Sequence, residues 1–140
     1  MSKPLIVYVL DTSAWLTLIE DETGADIVQK LLEDAQAGEV VLLTSFMSYM
    51  EVYYITLQER DAGEARERID LMAALPVLRV ESSRTLGVIA AEIKAHYRLS
   101  AADAWIAALA QEQEAVLVHK DLEFEQVMTR VEALALPYKT

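Results

Sequence analysis

Residues 4–15 read PLIVYVLDTSAW, an apolar run that ends abruptly at Asp11 and passes into Thr12-Ser13-Ala14-Trp15. The Ile-, Val- and Leu-rich part has the continuous hydrophobicity of a strand buried on both faces, as in a parallel sheet. Asp11 then stands at the carboxyl end of that strand, where open α/β sheets place their ligands.

The rest of the chain alternates in the same way. Asp11-Thr12-Ser13 opens a helix with Trp15, Leu16, Leu18 and Ile19 as its apolar content, ended by the acidic turn at 20–24. Ile27, Val28, Leu31 and Leu32 recur at the helical period and mark a second helix closing near Gly38. Residues 40–43 form a short apolar strand ending in Thr44-Ser45, both good N-cap residues. The helix predicted over 46–60 carries Phe46, Met47, Tyr49, Met50, Val52, Tyr53, Tyr54, Ile55 and Leu57 on nearly every face. A helix apolar all round is buried or lies in an interface.

A charged helix over 62–75 is stopped by Pro76, and 77–80 reads as a strand. Ser82 and Ser83 cap a helix through Tyr97, residues 98–100 break it, and an alanine-rich helix follows over 101–113. A strand at 115–118 closes on His119-Lys120-Asp121, followed by a short helix over 122–131 and a last strand at 133–136. Strands alternating with helices mean an α/β domain with a mostly parallel sheet. With no repeat, low-complexity segment or linker, residues 1–140 read as one domain.

The chain has no cysteine, which excludes a disulfide framework and a thiolate metal site. No apolar run reaches the length of a membrane span, and the start leads into a strand rather than a signal peptide, so the expectation is a soluble cytoplasmic protein. Hydrophobic residues make up 54%, enough for a core and a partner or dimer surface as well. Twelve basic against 23 acidic residues give a net charge of −11, which argues against binding nucleic acid through a broad basic surface. A function on nucleic acid would need cations or a local basic rim.

The chemistry therefore rests on carboxylates. Asp11, Asp103 and Asp121 each admit a capping explanation, because each precedes or opens a helix; Ser100-x-x-Asp103 is close to a capping box. Glu51 does not. It is mid-helix among Met50, Val52 and Tyr53, with no base three or four residues away. Asp11 and Asp121 both end strands, and parallel strands bring their carboxyl ends to one rim. Four carboxylates meeting within about 6–7 Å would repel by roughly 2.5 kcal/mol per pair at an effective dielectric of ~20. The sum, on the order of 15 kcal/mol, rivals a domain's whole stability and calls for protons or hard cations. Oxygen ligands without Cys or a spaced His pair favour Mg²⁺ or Mn²⁺ over zinc.

With these acids in place the chain resembles the PIN-domain ribonucleases, and among them the VapC-type toxins of toxin–antitoxin pairs. The matching pieces are LDTSAW at 10–15, SYMEVYY at 48–54, LSAADAWIAALA at 99–110 and LVHKDLEF at 117–124, in the same order and spacing. The resemblance implies a three-layer α/β/α PIN-like domain, Mg²⁺- or Mn²⁺-dependent endoribonuclease activity, a cognate antitoxin and a homodimer. It implies that Asp11, Glu51 and Asp103 ligate metal, with Asp121 completing the set directly or through water. Thr12 or Ser13 falls where such enzymes often carry a hydroxyl near the metal or phosphate, although capping explains them as well. His119 stands where many relatives have Thr or Ser and is expected to pack or face solvent, Glu123 adds a fifth acid, and His96 reads as surface. Lys94, Arg98 and Lys120 flank the acids in sequence and are candidates for a phosphate-binding rim.

Two other classes compete. One is a different metal-dependent phosphate enzyme, such as a phosphatase or a DNA nuclease; a haloacid-dehalogenase-type nucleophile motif would want Asp where Ser13 stands. The other is a catalytically silent acidic module that keeps the fold and binds a protein through its apolar helix.

Overall fold

The strand that carries the opening motif is the middle of the sheet. The structure is a computed structural model and describes residues 4–139. Strand β1 (Ile6–Leu10) pairs with β2 (Val40–Ser45) on one side and β4 (Val116–His119) on the other, while β3 (Leu78–Val80) and β5 (Ala133–Ala135) form the edges. The order is β3-β2-β1-β4-β5 and every pairing is parallel. In register, Val9 lies opposite Leu43 of β2 and Leu117 of β4.

Parallel neighbours need crossovers, and the helices supply them. Helices α1 (Thr12–Ile19) and α2 (Ala25–Gln36) join β1 to β2, and α3 (Phe46–Glu59) and α4 (Ala62–Ala74) join β2 to β3. Helices α5 (Arg84–His96) and α6 (Ala101–Glu112) then carry the chain back to β4 on the other side of β1. The direction of winding therefore reverses beside β1, which creates a crevice at the carboxyl ends of β1 and β4.

Alternation along the strands builds two cores. Val9, Leu43 and Leu117 pack with Ile93, Ile106 and Phe124, whereas Leu10, Leu42 and Val118 pack with Trp15, Leu31, Val52 and Met72. Helices thus cover both faces and the architecture is a three-layer α/β/α sandwich. Each large apolar side chain buried here contributes about 1.5–3 kcal/mol.

Two segments differ from the sequence expectation. Strand β2 runs through Thr44, whose hydroxyl accepts from Trp15 Nε1 (2.9 Å) and donates to the Leu10 carbonyl (3.2 Å), so Ser45 alone caps α3. The segment expected as a short helix over 122–131 is a 3-10 helix only over Leu122–Val127. Phe124 and Val127, three residues apart, are both buried, and the three-residue turn of a 3-10 helix puts them on one edge. Helix α3 buries Tyr49 and Val52 but leaves Met50, Tyr54 and Leu57 exposed.

Arg68, buried on α4, reaches Glu20 Oε1 and Thr56 Oγ1 (both 3.2 Å) and so ties α4 to the end of α1 and to α3. Gly24 caps α2 with a left-handed φ of 104°, and a Cβ there would stand 3.1 Å from Pro137 Cδ. The C-terminal segment passes that close, and Tyr138 just beyond it packs against His119, the last residue of β4 (ring centroids 6.2 Å apart). Among the described residues no helix is long and apolar enough to cross a membrane.

Candidate functional site

Asp11 caps a helix and still has an oxygen to spare. Its N–H extends the β1–β4 ladder to the Val118 carbonyl (3.0 Å), and Oδ2 accepts from the Ser13 N–H (2.9 Å) and the Ser13 hydroxyl. Oδ1 is buried with no hydrogen-bond partner among the described residues, and the residue is only 2% exposed. A buried carboxylate oxygen left unpaired is costly unless a proton or cation meets it. Burial lifts the Asp11 pKa from 3.8 to about 7; the Ser13 hydrogen bonds oppose this, and Glu51 and Asp121 add repulsion.

Glu51 finds its partner across the fold. Its Oε1 accepts from the Thr12 hydroxyl (2.6 Å), and Thr12 Oγ1 also lies 2.9 Å from Ser48 Oγ. Thr12 has one proton, and the carboxylate can only accept, so Ser48 donates to Thr12. This relay joins the start of α1 to the middle of α3. Burial raises the Glu51 pKa, with Thr12 lowering it and Asp121 raising it further. Ser48, the first residue of the SYMEVYY stretch and without an expected role, lies one helical turn before Glu51, on the same side of α3.

Asp103 is in the first turn of α6, with its N–H on Ser100 Oγ (3.1 Å). Burial lifts its pKa from 3.8 to about 8, helped by the charges of Asp11, Asp121 and Glu51 and opposed by the Ser100 hydroxyl. Asp121 caps the 3-10 helix through Oδ1 to the Glu123 N–H (2.9 Å). Asp103, Asp121 and Glu123 each present an oxygen within 4.8 Å of the others. Asp11 and Glu51 stand outside that grouping and are coupled to it by charge. The sequence left Glu123 without a role; the structure draws it in beside Asp121.

Among the described residues no ion pair involves Asp11, Glu51, Asp103 or Asp121. The donor set is all oxygen, with an orphaned buried oxygen at Asp11, and it fits a hard divalent cation.

Ser13 links two sides of the site, since its hydroxyl donates to Asp11 and accepts the Lys120 N–H (2.8 Å). The Lys120 ammonium turns away to the Thr23 carbonyl (2.6 Å) and lies 3.8 Å from Glu22. A phosphate would have to compete with both. Lys94 and Arg98 are exposed at and after the end of α5, and the Arg98 backbone is clamped to the Gln126 side chain. His96 is exposed, whereas His119 is buried against Phe124 and Tyr138. A cleft of about 410 Å³ adjoins the acids, lined by Ser13, Glu20, Lys120, Asp121 and Tyr138 among others.

The raised carboxyls set the pH dependence of stability. Unfolded, both aspartates ionise near 3.8; folded, Asp11 holds its proton to about 7 and Asp103 to about 8. Between those limits the native chain binds more protons than the unfolded one, so stability is fullest at the acidic end and falls as pH rises through the window. In EDTA, the melting temperature is expected to drop between about pH 5 and about pH 8.5, and Asp103→Asn is expected to flatten the drop. A wild-type profile that rises across this range, or an Asp103→Asn profile parallel to it, would remove the buried-acid account.

The PIN domain family model matches residues 8–128. No curated protein matches the chain. Among solved structures, VapBC2 from Rickettsia felis, bound to a DNA fragment from the promoter, is 15% identical with a TM-score of 0.76, covering 94% of this chain and 100% of that one. VapBC-1 from nontypeable Haemophilus influenzae is 20% identical with a TM-score of 0.70, covering 93% and 98%. VapC20 from Mycobacterium tuberculosis, described as a sarcin–ricin loop cleaving toxin, is 17% identical with a TM-score of 0.68, covering 86% and 94%. At these identities the likeness is one of fold.

Proposed function

The chain belongs to the PIN-domain family, and from that premise we propose that it is a divalent-metal-dependent endoribonuclease, a single PIN-like unit acting as the toxin of a type II toxin–antitoxin pair. The observation that carries the reading is the buried, unpartnered Asp11 Oδ1 in an uncompensated group of acids.

In this reading Asp103, Asp121 and Glu123, whose oxygens come within 4.8 Å of one another, would hold the cation, and Asp11, which stands outside that grouping, would complete the oxygen shell directly or through water. Glu51, oriented by Thr12 and Ser48, accepts the proton of the attacking water. The cation, Mg²⁺ or Mn²⁺, supplies a lowered pKa for water and neutralises charge developing on the phosphodiester. Ser13 engages Oδ2 of Asp11, which leaves Oδ1 as the oxygen that could face a cation. Lys94 and Arg98 are the candidates for phosphate contacts, with Lys120 the least available of the three.

An antitoxin is supported by two further structural matches, described as a toxin–antitoxin complex from Klebsiella pneumoniae and as VapBC-5 of the VapBC family of toxin–antitoxin systems from Mycobacterium tuberculosis. The partner would insert an Arg or Lys side chain among the acids and lay apolar groups on Met50, Tyr54 and Leu57 of α3, which are exposed here. A homodimer and a cytoplasmic location belong to the same reading. The exposed face of α3 also suits a catalytically silent interaction module, and one assay separates the readings. End-labelled RNA and DNA of the same sequence are incubated with Mn²⁺, Mg²⁺ or EDTA. The expected result is internal cleavage of RNA with metal and none with EDTA. Preferential DNA cleavage would change the substrate class, and no cleavage of either across several RNAs would favour the interaction module.

A further inference from the structure

Strand β4 ends at His119, and the next two N–H groups, of Lys120 and Asp121, have no strand partner. Both are caught by side chains. The Lys120 N–H donates to Ser13 Oγ (2.8 Å) and the Asp121 N–H donates to Nδ1 of His119 (3.1 Å). Asp121 is the acid whose backbone depends on this joint. We propose that His119 is a positioning residue for the acidic site, its ring nitrogen Nδ1 holding the Asp121 backbone so that the carboxylate stays beside Asp103 and Glu123. The proposal rests on the reading of these acids as a metal-holding group.

The ring is placed to do this. His119 is 2% exposed, with the Phe124 ring centroid at 5.2 Å and the Tyr138 ring centroid at 6.2 Å, and its carbonyl accepts the Leu136 N–H (2.7 Å). The ring thus packs against the 3-10 helix and the C-terminal segment, and the backbone is tied to the latter. A backbone N–H can only donate, so Nδ1 must carry a lone pair, which fixes the Nε2–H tautomer. The turn made is the one Asn and Asp make with the N–H two residues on.

Simple packing makes different demands from positioning. Packing needs the volume of a ring; positioning needs an acceptor at Nδ1. His119→Phe keeps a ring and removes the acceptor, while His119→Asn keeps an acceptor that reaches the N–H two residues on and removes the ring. Mn²⁺ affinity by calorimetry and the melting temperature in EDTA are measured for all three proteins. Groups that orient metal ligands are typically worth about 10–100-fold in affinity. His119→Phe is therefore expected to bind Mn²⁺ at least tenfold more weakly with a near-normal melting temperature. His119→Asn is expected to melt lower yet bind within about threefold of wild type. Equal affinity in His119→Phe and wild type, or weak binding in both variants in step with lost stability, overturns the proposal.

Amide exchange at Asp121, followed by NMR without metal, separates this from the reading of the site. Protection in wild type and His119→Asn with loss in His119→Phe supports the positioning bond even if wild type takes up no Mn²⁺, a result that would remove the metal reading. Unchanged protection in His119→Phe overturns it.

Discussion

Asp11→Asn is expected to cut RNA at least about a thousandfold more slowly than wild type in Mn²⁺, the loss of several kcal/mol of transition-state stabilisation. Asn caps a helix about as well as Asp, so the start of α1 should survive the change. The amide can keep an oxygen toward the Ser13 N–H and hydroxyl, which places its NH₂ where Oδ1 now stands bare. A partial positive charge then meets any incoming cation. The variant is also expected to be more stable than wild type in EDTA above about pH 7, because ionising a carboxyl raised from 3.8 to about 7 is avoided. Lost cleavage with an equal or higher melting temperature identifies a functional acid. An undiminished rate would return Asp11 to the role of a cap.

Trp15→Ala is expected to be the most destabilising single truncation near the site, by about 3–5 kcal/mol. Trp15 is fully buried among Leu10, Leu42 and Val118, and its indole N–H is bound to the Thr44 hydroxyl. Thr44 in turn donates to the Leu10 carbonyl, the residue before Asp11. Truncation opens a cavity under the carboxyl ends of β1 and β2 and removes a bond that holds them in line. A fall in melting temperature of roughly 10 °C or more is the expected reading, at a few degrees per kcal/mol for a chain of this size. A fall of only a degree or two would mean that α1 is not seated on the sheet as described.

Much of this geometry is written locally in the chain. The apolar runs before Asp11 and before His119-Lys120-Asp121 announce buried strands, and parallel pairing brings their ends together. Asp103 is different. Helix α6 follows another helix, not a strand, so its first turn reaches the rim only because the α5–α6 pair crosses back over the sheet. No local pattern encodes that crossing. The partner of Glu51 was equally hidden, since Thr12 lies 39 residues away and meets it only when α1 and α3 pack. The 3-10 form of Leu122–Val127 depends on Phe124 and Val127 sharing one core, a tertiary demand that overrides a helical reading. For His119, burial was within reach of sequence reasoning, but the use of Nδ1 depends on a side-chain rotation that sequence does not carry.

The central claim is that these acids gather to hold a divalent cation. It is tested most directly by titrating Mn²⁺ calorimetrically into wild type, Asp11→Asn and Asp103→Asn, each checked for folding by its melting temperature. The expected result is saturable binding by wild type and none by either folded variant. Three indistinguishable titrations, from proteins equally folded, would contradict the claim and leave Asp11 and Asp103 as helix caps.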